Sequence, residues 1–147
     1  MAKILVIGGS GFLGSHVADT LTNHSHEVFI FDMVKSKYLS SSQKMIVGDI
    51  LDKKLIDESI SKVEYVYHFA AIADIKEAKD NPIESARFNI IGTLNILDGC
   101  KKFNIKRIIF SSSIYVYSNH GSFYRTTKQS CELFIENYLE EFNLNYT

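Results

Sequence analysis

At 147 residues with a formal net charge of -1, the chain has room for one domain around a single core, and none for a cofactor domain joined to a sizeable substrate domain. That charge balance offers no attraction to nucleic acid or to an anionic membrane surface. No apolar run approaches the ~20 residues of a membrane span.

The first apolar segment, Ile4 to Ile7, is broken at once by Gly8, Gly9, Ser10 and Gly11, so it reads as a buried strand and not as a signal peptide. A helix follows over 12–23, with Val17, Leu21 and the Phe12/Leu13 pair as its inward face, and a second strand over 27–32. Further strands are expected over 44–48, 63–70 and 106–112, and helices over 52–60, 81–102 and 122–142. The 81–102 helix has a strong start signal, with Asn81 as N-cap, Pro82 in first position and Glu84 where a capping box wants it. Its buried stripe is expected to be Ile83, Ala86, Ile90, Leu94 and Leu97. Cys100 and Cys131 fall in amphipathic helices, as reduced core residues of a cytoplasmic protein would. Residues 143–147 resemble the start of a sixth strand.

Strands alternating with helices imply an α/β fold: a Rossmann-type doubly wound parallel sheet in the order 3-2-1-4-5, forming one domain over 1–147. Ligands in such sheets bind outside the carboxyl ends of the strands. The chemistry-bearing residues do fall just after strands. After the first, Gly9, Gly11 and Gly14 satisfy G-x-G-x-x-G, with Gly8 adding a second register. Glycines there let a pyrophosphate reach backbone N–H groups, and the following helix N-terminus favours that anion. Asp32 ends the second strand, 18 residues after Gly14, and its carboxylate can accept both hydroxyls of an adenosine ribose. Asp49 follows the third strand, where it could meet an adenine amino group, and the small Ala70 and Ala71 follow the fourth. A serine run, Ser111 to Ser113, follows the fifth. Tyr124 and Lys128, four apart, share one face of the last helix. His24, His26 and His120 have no metal-ligand spacing with the cysteines, so no metal site is expected.

Taken together, Gly8-x-x-Gly11-x-x-Gly14, Asp32, Gly48-Asp49-Ile50, His68-Phe69-Ala70-Ala71, Asn89-Ile90-Ile91-Gly92-Thr93, the serine run with Val116-Tyr117, and Tyr124-x-x-x-Lys128 resemble the extended short-chain dehydrogenases/reductases, specifically the NAD-dependent epimerase/dehydratase family acting on nucleotide sugars. The resemblance implies NAD as cofactor, held by Gly8, Gly11, Phe12, Leu13, Gly14, Asp32, Asp49, Ile50, Ala70, Ala71, Asn89, Ser111, Tyr124 and Lys128. It implies a nucleotide sugar as substrate and Ser113, Tyr124 and Lys128 as the catalytic set. Tyr124 would exchange a proton with a sugar hydroxyl as hydride passes to the nicotinamide, and Ser113 would hydrogen-bond the reacting oxygen. Lys128 would be the cation that helps a phenol of pKa near 10 to ionise at neutral pH. A homodimer through the last two helices is a further implication.

The chain departs from the family pattern in three ways. Tyr124 follows Ser113 by only 11 positions, where about twenty-five are usual. Ile114 and Tyr115 stand where the 4,6-dehydratases carry an acidic pair, which favours an epimerase or ketoreductase over a dehydratase. The substrate domain is not contained in residues 1–147, so this chain alone is expected to bind NAD without turnover. The alternative is a non-catalytic NAD-binding module with a sensing or interaction role.

Overall fold

The computed structural model describes residues 1–147. Along β1 (Lys3–Ile7) side chains alternate between two cores: Leu5 and Ile7 enter one, Ile4 and Val6 the other. A strand apolar on both faces belongs in the middle of a covered sheet, and β1 pairs in parallel with β2 (Glu27–Asp32) on one side and β4 (Tyr65–His68) on the other. With β3 (Lys44–Val47) and β5 (Arg107–Phe110) outside them, the order is β3-β2-β1-β4-β5, wholly parallel, as the alternation implied.

The larger core is closed by α2 (Lys53–Ile60), α5 (Gly92–Lys102) and α6 (Ser122–Phe142), through Ile56, Ile60, Ile96, Leu97 and Ile135. The smaller is closed by α1 (Phe12–Asn23) through Ala18 and Leu21. Phe12 and Leu13 do not belong to that inward face; they are 78% and 57% exposed, because Gly14 and Ala18 are the positions against the sheet. Lys102 of α5 pairs with Asp57 of α2 and Lys53 of α2 pairs with Asp98 of α5, so the two helices are tied by charge.

Three elements differ from the sequence expectation. A short helix, α3 (Ile75–Asp80), precedes the expected one and is capped by Asp74, whose side chain accepts from Glu77 N at 2.8 Å. The 81–102 segment is itself broken into α4 (Pro82–Ala86), a π turn (Arg87–Ile91) and α5. Asn81 spends its backbone N–H on Glu77 O as the end of α3, and its side chain caps nothing. The extra residue of the π turn rotates the buried stripe to Ser85, Asn89, Thr93, Ile96, Leu97 and Cys100, leaving Ile83 79% exposed. A 3-10 turn (Ile114–Tyr117) occupies the connection after β5.

Residues 145–147 lie along the outer edge of β5. Ile108 N donates to Asn145 O, Thr147 N to Ile108 O and Phe110 N to Thr147 O, with a parallel bridge between Ile108 and Tyr146. The outer edge of β5 is thus paired over this stretch by the chain itself, and not left bare. Cys100 and Cys131 are buried free thiols, and no helix is long and apolar enough to cross a membrane.

Candidate functional site

The carboxyl ends of β1, β2 and β4 open on a cavity of about 350 Å³, walled by Ile7, Phe31, Ile50, Phe69 and Phe88, with Gly8, Gly11, Asp32, Ala70 and Ala71 at its polar rim. Gly8 makes the turn that forms this rim. Its φ of +81° is the left-handed region, its N–H donates to Phe31 O, and a Cβ there would stand 2.5 Å from Ala70 N. A Cβ on Gly14 would stand 2.2 Å from Gly8 O, so α1 can start this close to β1 only on glycine.

The turn's donors divide cleanly. Gly11 N–H is used on Gly8 O, and Ser15 N–H on Gly11 O; Ser10 N–H is used on Asp32 Oδ2 at 3.0 Å. The N–H groups of Gly9, Phe12, Leu13 and Gly14 have no acceptor in the protein. Three of these are the first residues of an α-helix, where aligned peptide dipoles attract an anion. Asp32 accepts also from Val34 N at 3.1 Å, which fixes its carboxylate at the cavity mouth while leaving each oxygen a further lone pair. Asp49 lies off the cavity wall, folded into a turn in which it accepts from Leu51 N at 2.9 Å; its neighbour Ile50 is the wall residue.

A second cluster forms where β5 leaves the sheet. Lys128 of α6 is 2% exposed, donates to Ser111 O at 2.8 Å and lies 4.5 Å from the Phe110 ring centroid. No carboxylate is within 4.0 Å. Burial pulls its pKa down to about 8. A buried ammonium with no carboxylate in contact is costly to a fold, which is why such groups mark functional sites. Tyr124, half-buried, has its ring 5.9 Å from Lys128 Nζ. Burial raises its pKa, the Ser113 hydroxyl pulls it down and the nearby Tyr115 raises it. The arrangement expected from the motif, with Lys128 lowering the Tyr124 pKa, is therefore not realised, because the ammonium is turned to Ser111 O.

Behind this cluster stands Asn89, 2% exposed. Its side chain accepts from Ile72 N at 2.7 Å and donates to Ile72 O and Thr127 Oγ1, so it braces the loop after β4 against α6 and does not face the cavity. Its carbonyl accepts from Thr93 Oγ1 and Cys131 Sγ. With its proton given to Asn89 O, Thr93 must accept from His68 Nε2 at 2.9 Å, which assigns the His68 tautomer and leaves its buried Nδ1 without a partner. Burial first and Lys128 second push the His68 pKa down to about 3, so this ring is neutral. The short connection between Ser113 and Tyr124 is stitched to α6 by Arg125 donating to Ser118 O and Gln129 to Val116 O. Sequence reading gave no signal for these ties, nor for Ser10.

The model of the NAD dependent epimerase/dehydratase family matches residues 4–147. The chain belongs to that family. It is 38% identical over 121 residues to the UDP-N-acetyl-alpha-D-glucosaminuronate decarboxylase of Bacillus cytotoxicus, covering 78% of this chain and 37% of that protein. Among solved structures it matches the UDP-glucose 4-epimerase of Thermotoga maritima with UDP-glucose, at a TM-score of 0.92 and 30% identity over 98% of this chain and 53% of that one. The UDP-glucose 4-epimerase of Brucella ovis in complex with NAD matches at 0.92 and 29%, over 99% and 50%. The chain thus spans about half the length of these structures and a little over a third of the relative matched by sequence.

Proposed function

We propose that residues 1–147 form the cofactor half of an NAD-dependent nucleotide-sugar epimerase or ketoreductase. The single observation that carries this reading is the buried, unpaired Lys128 ammonium four residues after Tyr124, at the same sheet edge as the glycine turn and Asp32. The residues fit NAD. Four free N–H groups over the turn and the helix start suit the pyrophosphate, Asp32 suits the adenosine ribose, the apolar wall suits adenine, and a Cβ on Gly11 would meet nothing nearer than 3.4 Å. Bound NAD would supply hydride acceptance and return.

The chain's own residues would do the rest. Lys128 has donor capacity beyond its bond to Ser111 O and would hold the nicotinamide ribose; its charge would favour the Tyr124 phenolate once it turned from Ser111 toward the ring. Ser113 and Tyr124 would face the same substrate oxygen, Tyr124 as the base that removes its proton and Ser113 as a hydrogen-bond donor. The raised Tyr124 pKa favours a second reading, a non-catalytic NAD-binding module. Incubating the chain with NAD and a panel of UDP-, GDP- and dTDP-sugars, with epimerisation followed by NMR, separates the two. Under the first reading the 147 residues bind NAD but do not turn over until the remaining length found in the relatives is supplied, whereas failure of the extended protein too would leave only the second. A homodimer through the last two helices, α5 and α6, with Leu133, Phe134, Leu139 and Phe142 of α6 exposed, accompanies the first reading and is checked by sedimentation.

A further inference from the structure

We infer that Ser10 is a positioning residue for cofactor selectivity, binding the glycine turn and the β2 exit into one rigid unit that fixes the Asp32 carboxylate. The inference rests on the reading of this site as an NAD site. Three hydrogen bonds build the unit. Ser10 N–H donates to Asp32 Oδ2 at 3.0 Å, Val34 N–H donates to Asp32 Oδ1 at 3.1 Å, and the Ser10 hydroxyl donates to Val34 O at 2.6 Å. The carboxylate is thus gripped on both oxygens from two different loops, and the serine hydroxyl holds those loops together.

A carboxylate free to turn can swing away from the 2′-phosphate of NADP and let a nearby cation neutralise it. Two such cations are close in sequence. Lys35 and Lys37 are exposed and form no ion pair. Selectivity at this site therefore depends on the geometry of Asp32 as well as its charge, and that geometry depends on the Ser10 hydroxyl, since Val34 is itself 65% exposed and has little packing to keep it in place. The bonds to Asp32 are charge-assisted, the stronger kind, but the Val34 arm persists only while its loop is tied down. Ser10 does not itself line the cavity, and its hydroxyl bonds only the main-chain carbonyl of the lining residue Val34, so its removal tests positioning apart from direct contact.

The test measures dissociation constants for NAD and NADP by calorimetry on the unchanged chain, Ser10→Ala, Ser10→Thr, Asp32→Ala and the Ser10→Ala/Asp32→Ala double variant. The unchanged chain should prefer NAD. Ser10→Ala should lower that preference at least threefold, chiefly through tighter NADP binding. Ser10→Thr, which keeps the hydroxyl, should restore it. In the Asp32→Ala background Ser10→Ala should leave the ratio unmoved, as a residue acting through Asp32 must. Amide hydrogen exchange supplies a ligand-free readout: Val34 N–H should lose protection in Ser10→Ala while the interior of β2 keeps its own. NAD binding with an unaltered preference in Ser10→Ala, or an equal effect with and without Asp32, overturns the inference alone. No NAD binding by the unchanged chain overturns the reading of the site and the inference with it.

Discussion

Replacing Lys128 with Met should make the protein more stable at neutral pH while weakening its hold on NAD. The ammonium is 2% exposed with no carboxylate within 4.0 Å, and burial, opposed in part by Glu132 at longer range, lowers its pKa from an ordinary 10.5 to about 8. Keeping the proton at pH 7 against that depression costs about 3 kcal/mol. Against this stand a hydrogen bond to Ser111 O and the contact with Phe110, each worth about 1 kcal/mol. Methionine fills a similar volume, so the net gain at pH 7 should be about 1 kcal/mol, or roughly 2–4 °C in Tm for a chain of this size. Between pH 8 and pH 10.5 the unfolded chain binds the Lys128 proton more fully than the folded one, so the stability of the unchanged protein rises with pH across that window relative to the variant. Urea denaturation of both proteins from pH 6.5 to 10 reads the difference directly. At pH 7 the methionine protein should lead, and its lead should shrink or reverse as pH climbs past 8. A destabilised methionine variant, or a pH-independent gap, would refute the view that this ammonium is held at the expense of the fold.

Other expectations follow from the same geometry. NAD should bind about tenfold more tightly than NADP, or ~1.4 kcal/mol, because Asp32 opposes the extra phosphate; Asp32→Ala should narrow the gap in calorimetry, and equal affinities in the unchanged chain would sink the assignment. Gly14→Ala puts a Cβ 2.2 Å from Gly8 O and should cost about 1–3 kcal/mol of stability together with most of the NAD affinity; a variant with unchanged melting and binding would mean the turn is looser than described. In a turnover-competent form of the protein, Tyr124→Phe should lower the rate at least about a hundredfold with NAD affinity nearly unchanged, and an active variant would place the acid/base role elsewhere.

The sheet was legible because its signals are local. Two-sided apolar strands, the glycine turn and Asp32 specified β1, α1, β2 and the strand order without any long-range knowledge. The helices between β4 and β5 were not. α3 is a six-residue stretch, Ile-Lys-Glu-Ala-Lys-Asp, too charged and too short to show an apolar period, and the π turn shifts the stripe by one residue, which no fixed helical period anticipates. Hence Ile83 read as core and is exposed, while Ser85 and Asn89, polar in sequence, are buried. At the site, the residue types were legible and their connections were not. Tyr124 and Lys128 share a helix face as their spacing requires, yet a backbone carbonyl, Ser111 O, decides where the ammonium points. Likewise the Ser10 tie to Val34 joins side chain to backbone across 24 residues of sequence, which composition and periodicity do not encode.

The central claim is that one NAD lies along the edge running from the glycine turn to Lys128, and titrating isotope-labelled protein with NAD tests it most directly. The amides of Gly9, Phe12, Leu13 and Gly14 and the resonances of Asp32 and Lys128 should shift together with a single sub-millimolar Kd and a stoichiometry of about one per chain. Spectra unchanged at millimolar NAD, or shifts confined to residues away from that edge, would contradict it.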